Sequence, residues 1–223
     1  MIGDELIGTA RVPDGVELQL VRNGADFAII LDRNELMSTD ICASEEALAT
    51  MTCEQLGGRP APELLIGGYG MGFTLRAALA VLGADASVTV AEIVPEIIQW
   101  ARGPMRDLTG GCLDDPRVVL VNDDVAMLIH AARDGYDAIL LDVDNGPEGL
   151  TRRLNDHLYS KRGLQAAKAA LKPGGILAIW SATPEGTFTT ELAEAGFVVD
   201  EVEVKAYTHG KGHDHVIWFA RKA

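Results

Sequence analysis

The chain has 223 residues, 48% of them hydrophobic, and 33 acidic against 19 basic side chains give a formal charge of −14. That length and apolar content suit one full domain with a small appendage, and the negative field opposes a nucleic-acid partner while attracting small cations such as amines. No charged segment followed by an apolar run opens the chain, and no apolar stretch reaches membrane-spanning length, so a cytoplasmic protein without a membrane partner is expected.

Val16 to Arg22 and Asp26 to Leu31 alternate apolar and polar around Asn23-Gly24, two residues that tolerate positive φ, which predicts a β-hairpin. Residues 1–43 are read as this hairpin region. Ser44 followed by Glu45-Glu46 resembles an N-cap with acidic first-turn residues, and Leu48, Met51, Thr52 and Leu56 continue one helical face up to Gly57-Gly58. Strands and helices then alternate. Strands are expected at Leu64 to Ile66, Val88 to Ala91, Val118 to Val121, Ala138 to Leu141 and Ile176 to Trp180. Helices are expected at Phe73 to Leu82, Pro95 to Arg102, Val125 to Ala132, Arg162 to Leu171 and Phe188 to Ala195. Lys172-Pro173-Gly174-Gly175 reads as a helix stop, and Val198 to Val204 with Val216 to Ala220 reads as a closing hairpin. Short apolar strands separated by helices form a parallel sheet covered on both faces. An antiparallel closing strand makes residues 44–223 an α/β, Rossmann-like domain of the class I methyltransferase fold.

The most informative run is Leu64-Leu65-Ile66-Gly67-Gly68-Tyr69-Gly70-Met71-Gly72, where a buried strand breaks into glycines and restarts as a helix. Glycine lets the turn tighten and lets a ligand lie against main chain, and the helix that follows points unpaired N–H groups toward it. Glu92, twenty residues beyond Gly72 and followed by Ile93, ends the next apolar strand, where a carboxylate can accept from both hydroxyls of a ribose. The alternating Gly68, Gly70 and Gly72, with Phe73 in the dinucleotide's third glycine position, suit an adenosyl-sulfonium ligand better than NAD.

In open α/β sheets ligands lie outside the carboxyl ends of the strands. The third strand end carries Asn122-Asp123-Asp124 and the fourth Asp142-Val143-Asp144-Asn145-Gly146-Pro147. Asp124, or in its place Asp123, can accept from an adenine amine while the N–H of Val125 donates to a ring nitrogen, a role compatible with capping the following helix. Asp142 and Asp144 share one side of an extended segment and can together hold a cationic amine and take its proton.

These residues resemble the spermidine synthases, aminopropyltransferases on a methyltransferase-like fold. The resemblance rests on Ile66-Gly67-Gly68, Glu92-Ile93, Asp124, Asp142 with the later Gly146-Pro147, and Leu158-Tyr159 ahead of the helix that ends in Pro173-Gly174-Gly175. It implies that Glu92 binds the ribose, Asp124 the adenine and Asp142 the amino end of the donor or the amine. It also implies a β-rich N-terminal region and a homodimer. The second acid of the family's catalytic loop falls on Asn145, beside Asp144.

Three activities follow from this reading. The first is transfer of an aminopropyl group from S-adenosylmethionine or its decarboxylated form to a small amine. The second is S-adenosylmethionine-dependent methylation of another small molecule, and the third is nucleoside binding without catalysis. His209, His213 and His215 are read as a solvated loop rather than a metal site, and Cys42, Cys53 and Cys112, with no close-spaced pair, as reduced thiols. Trp100, Trp180 and Trp218 are read as core or pocket wall.

Overall fold

Alternation along the first strands dictates a sheet with one buried face. In the computed structural model, which describes residues 5–13, 15–31, 34–143, 157–184, 186–207 and 214–223, Leu18 and Leu20 of β2 (Glu17–Asn23) and Phe27, Ile29 and Leu31 of β3 (Asp26–Leu31) are buried. The expected hairpin is present, with Asn23 opposite Asp26 and Gly24 at φ +66°. Two edge strands extend it, β1 (Glu5–Arg11) and β4 (Asn34–Ser38), giving an antiparallel sheet in the order β1-β2-β3-β4. Neither was legible: β1 buries only Ala10 and is bulged between Leu6 and Gly8, and β4 is five residues long.

Helix α1 (Ala43–Gln55) follows, two residues earlier than expected. Its N-cap is Cys42, without a side-chain bond, so Ser44 is not the cap. The Ser44 hydroxyl is fully buried, lies 2.8 Å from His215 Nδ1 and accepts from Trp180 Nε1 at 3.0 Å. Tertiary partners on the closing strands thus override the local capping preference of a serine.

The second sheet contains β5 (Glu63–Gly67), β6 (Ser87–Ala91), β7 (Val118–Val121), β8 (Tyr136–Leu141), β9 (Leu171–Ser181), β10 (Phe197–Lys205) and β11 (Asp214–Lys222). Their order is β10-β11-β9-β8-β5-β6-β7. The pairings among β5 to β9 are parallel, and β11 is inserted antiparallel between β9 and β10. This is the strand order of the class I methyltransferase fold.

Helices α2 (Phe73–Val81), α3 (Pro95–Arg102), α4 (Val125–Ala131), α5 (Lys161–Ala170) and α6 (Phe188–Glu194) form the crossovers. One core joins the N-terminal sheet to α1, α2 and α3; the other lies beneath α4, α5 and α6. The segment Lys172-Pro173-Gly174-Gly175 does not separate helix from strand as expected but runs within β9. A register shift between Tyr136 and Ala138 absorbs the irregularity, as bulges do for proline in a strand. The β5–β6 strand ends converge with that of β8 because β5 is central and pairs with both.

The two sheets are joined where β1 crosses α3. A Cβ at Gly8 would stand 2.7 Å from Nε1 of Trp100, an indole 7% exposed. Gly8→Ala should therefore lower unfolding free energy by about 1–3 kcal/mol, as overpacking does, read as a reduced urea midpoint. Gly186→Ala, where a Cβ would meet nothing within 4 Å, should stay within about 0.5 kcal/mol of the parent.

Candidate active site

Chain geometry makes the first glycines obligatory. β5 ends at Gly67, and the chain turns at Gly68 with φ +82°, where a Cβ would lie 2.5 Å from the main-chain oxygen of Asp142. Only glycine lets this turn cross the end of β8 so closely. Gly70, at φ +54°, lies under the thioether of Met37, whose methyl would be 2.7 Å from a Cβ there. The N-terminal sheet therefore closes directly over the turn.

The structure separates the expected ligand-binding run into two groups. Gly68 and Gly70 line a cavity at the strand ends, whereas Gly67, Tyr69 and Gly72 do not. Gly67 packs against Val125 and Leu141, and Gly72 caps α2 at φ +83°, where a Cβ would collide with the Tyr69 hydroxyl at 2.5 Å. The Tyr69 ring is buried, with its hydroxyl 3.4 Å from Thr109 Oγ1 and 3.6 Å from Cys112 Sγ, and burial raises its pKa. What Tyr69 contributes to the site is its main-chain N–H.

That N–H donates to Glu92. The Glu92 side chain, 4% exposed at the end of β6, accepts from Tyr69 N at 2.9 Å through Oε2 and from Val94 N at 2.8 Å through Oε1. Burial raises its pKa, opposed by the main-chain N–H groups of Val94, Tyr69, Gly70 and Ile93. A carboxylate offers about four acceptor positions. Two are occupied by these bonds, and the residue still forms part of the cavity wall with the partly exposed Ile93. Asn122 Nδ2 donates to the Glu92 carbonyl at 2.6 Å and ties the ends of β6 and β7 together.

Asp123, Asp124 and Val125 also line the cavity. Asp124 is the N-cap of α4, its Oδ1 accepting from Ala126 N at 2.8 Å, with Oδ2 3.5 Å from His157 Nε2. Asp123 Oδ1 accepts from Asp124 N at 2.8 Å. A cap and a cavity wall coexist in this one residue, Asp124.

Across the cavity, Asp142 continues from β8. Its N–H donates to Gly67 O at 3.0 Å, and its Oδ2 accepts from Thr74 Oγ1 at 2.6 Å. Burial pushes its carboxyl up to about 6, against the pull of the Thr74 hydrogen bond. Asp144 and Asn145, the other two residues of the expected catalytic loop, lie outside the described residues, as do His209 and His213. His215 sits on β11, edge-on to Trp180 at 4.8 Å between ring centroids.

Two features escaped the sequence. Val12, Leu18, Ile29, Leu31, Leu36 and Met37 of the N-terminal sheet roof the cavity; the alternation in β2 and β3 shows that a face is buried but not against what. Glu45, read from the sequence as an acidic first-turn residue, is 5% exposed. Among the described residues the cavity is lined by Glu92, Asp123, Asp124 and Asp142, and by no lysine or arginine.

Comparison with known proteins agrees with this layout. The spermine/spermidine synthase domain matches residues 43–193. The chain is 30% identical over 204 residues to the polyamine aminopropyltransferase of Mycobacterium tuberculosis, covering 87% of this chain and 37% of that protein. It is 31% identical over 197 residues to that of Aeropyrum pernix, covering 86% and 59%. The chain thus spans little more than a third of the mycobacterial relative's length. In structure it is similar to spermidine synthase from Thermotoga maritima, with a TM-score of 0.77 at 22% identity, covering 98% of this chain and 73% of that one. A spermidine synthase in complex with the transition-state analogue AdoDATO gives 0.75 at 22% identity, covering 98% and 72%. With glycine turn, Glu92, Asp124 and Asp142 all within the matched span, the chain belongs to the spermine/spermidine synthase family.

Proposed function

We propose that this chain transfers an aminopropyl group from decarboxylated S-adenosylmethionine to a small primary amine. The observation that carries the reading is the sign of the cavity wall: four carboxylates and no basic side chain among the described residues. A donor that kept its methionine carboxylate would bring another negative charge into this partly dry site with nothing described to pair it, which is costly. A donor without it brings a sulfonium and an ammonium, both of which the wall attracts. The names of the relatives and the AdoDATO complex of a neighbour support the same choice.

In this reading Glu92 accepts from the ribose hydroxyls with the acceptor positions its main-chain bonds leave. Asp124 or Asp123 accepts from the adenine amine beside the N–H of Val125. Gly68 and Gly70 let the nucleoside lie against the chain, while the side chains of β2, β3 and β4 cover it and exclude water. Residues 44–223 supply the polar groups and residues 1–43 the roof. The homodimer that goes with this reading rests on the family resemblance, and the cytoplasmic compartment on the sequence pattern described above.

The chemical step needs positioning and one proton acceptor. A neutral amine nitrogen attacks the propyl carbon bonded to sulfur, in line with the C–S bond. The C–N bond forms as the C–S electron pair returns to sulfur, leaving a neutral thioether. The new secondary ammonium gives its extra proton to a carboxylate, for which Asp142 and Asp144 are the candidates. The positive charge that starts on sulfur and ends on nitrogen stays near Asp142 throughout, which is the electrostatic reason to place an acid there.

Asp142→Asn should lower kcat/KM for putrescine with the decarboxylated donor by about 100-fold or more. It should change the affinity for 5′-methylthioadenosine, which carries no ammonium, by no more than a few-fold. Methyl transfer from intact S-adenosylmethionine, without aminopropyl transfer, would overturn the proposal; binding of both nucleosides without transfer to any amine would favour the non-catalytic reading.

The pH dependence has a definite sign. Because burial raises the Asp142 carboxyl from 3.8 to about 6, its charge is present above that value and is lost as pH falls through it. The dissociation constant of the decarboxylated donor should rise by roughly tenfold per unit below pH 6 relative to that of 5′-methylthioadenosine. A ratio of the two constants that stays flat from pH 7 to 5 in calorimetric titrations would remove Asp142 from ammonium binding.

A further inference from the structure

One buried group remains without a role. Glu45 is in the first turn of α1, 5% exposed, and its Oε2 is buried with no hydrogen-bond partner. Such an orphan is rare in folded proteins because an unpaired buried carboxylate loses its hydration without replacement. Its neighbours make the situation more acute. Thr74, which donates to Asp142 Oδ2 at 2.6 Å, has the same hydroxyl 3.4 Å from the Glu45 carbonyl, so one residue of α2 touches both acids. Glu45 is repelled by Asp142 and by Glu46 on its own helix. The nearby cation, Arg76 of α2, is committed to Glu46 and to the Leu108 carbonyl, and His215 of β11 faces the adjacent Ser44. Among the described residues neither Glu45 nor Asp142 has an ion-pair partner.

We propose that Glu45 and Asp142 together form a two-carboxylate seat for one primary ammonium group of the substrate, with Glu45 the residue that selects a charged amine over a neutral group of the same size. The inference rests on the aminopropyl-transfer reading for the identity of the ligand, but the missing charge is a property of the chain itself. Two acids packed together with no counter-cation must keep a proton or receive a cation. Asp142 lines the cavity while Glu45 is buried outside its lining, with Thr74 touching both and the two acids repelling each other, so a ligand ammonium placed against Asp142 also offsets the field of Glu45. Burial and the negative charges of Asp142 and Glu46 hold the Glu45 carboxyl well above the usual range. That shift favours the protonated form of Glu45 in the free protein. Arrival of the ammonium removes the reason for that proton, and binding should release it to solvent.

Proton release gives a readout that a merely structural glutamate would not move. The full chain, with 5′-methylthioadenosine bound, would be titrated with putrescine at pH 7 in phosphate and in Tris, whose ionisation enthalpies differ. The apparent heats then report protons released per amine bound. The expected result is release of about half to one proton. Glu45→Gln should weaken putrescine binding by tenfold or more and abolish the release, Glu45→Asp should retain part of both, and butan-1-ol should not bind. Circular dichroism would verify that the variants fold; the glutamine, neutral and of the same shape, is expected to melt no lower than the parent.

If Glu45→Gln binds putrescine with unchanged affinity and unchanged proton release, the seat is wrong while the aminopropyl-transfer reading stands. If the parent binds 5′-methylthioadenosine but no amine, the seat is likewise overturned. If the parent binds neither, the reading of the site as a nucleoside site falls, and the seat falls with it.

Discussion

The buried carboxylate of Glu92 is the constraint on which the rest of the site depends. Each of its oxygens accepts one main-chain N–H, from Tyr69 in the glycine turn and from Val94 ahead of α3. These bonds fix the end of β6 to the turn after β5, and Asn122 fastens the end of β7 to the same residue's carbonyl. A carboxylate so deeply placed is stable only because main-chain donors replace the water it has lost, and charge-assisted bonds of this kind exceed neutral ones in strength. The glycine turn is therefore shaped around an anion that belongs to the protein. A ligand then meets a donor-poor, acceptor-rich wall, the opposite of the phosphate-binding turns that similar glycine runs often make.

The sheet accounts for the sign of the remaining wall. Parallel strands deliver their carboxyl ends to one edge, and the chain leaves β6, β7 and β8 through acids: Glu92, Asp123 with Asp124, and Asp142. Each finds a local stabiliser: Asp124 caps α4, Asp123 accepts from the following main-chain N–H, and Asp142 accepts from Thr74. None of these stabilisers is a lysine or arginine, and the one imidazole nearby, His157, lies 3.5 Å from Asp124 Oδ2. Elsewhere the chain neutralises buried acid conventionally, as at Asp137, where Arg59 and Lys172 close on one carboxyl. Among the described residues no lysine or arginine lines the cavity, so what is described of its wall carries no positive charge to balance these acids.

Most of the sheet was legible because its signals are local. Glu92, Asp124 and Asp142 follow short apolar runs directly, and the period of strand and helix is strong enough to place those runs at the carboxyl edge. Gly68 was legible as a turn, but its reason, the main-chain oxygen of Asp142 2.5 Å from where a Cβ would lie, belongs to a contact across 74 residues of sequence. The burial of the Tyr69 ring was not legible because an aromatic residue inside a glycine turn gives no sign of the direction its ring takes; the pocket between Thr109 and Cys112 decides it. The roof of β1 to β4 and the burial of Glu45 are tertiary facts. An acid in the first turn of a helix is favoured there by the macrodipole whether it faces water or core, so the sequence pattern leaves its burial open.

The position of Glu45 also bears on how α1 communicates with the site. Its neighbour Ser44 is bound to His215 on β11 and to Trp180 on β9, and its other neighbour Glu46 is bound to Arg76 on α2. Three successive residues thus anchor the start of one helix to the closing strands, to the acid pair and to the helix after the glycine turn. A side chain held on both sides in this way has little freedom to swing out to water when its carboxyl is desolvated, so relaxation cannot relieve the unpaired oxygen. The remaining means are a proton in the free protein and a cation beside Asp142, and in the proposed seat exchange of one for the other couples amine binding to the protonation of a buried residue.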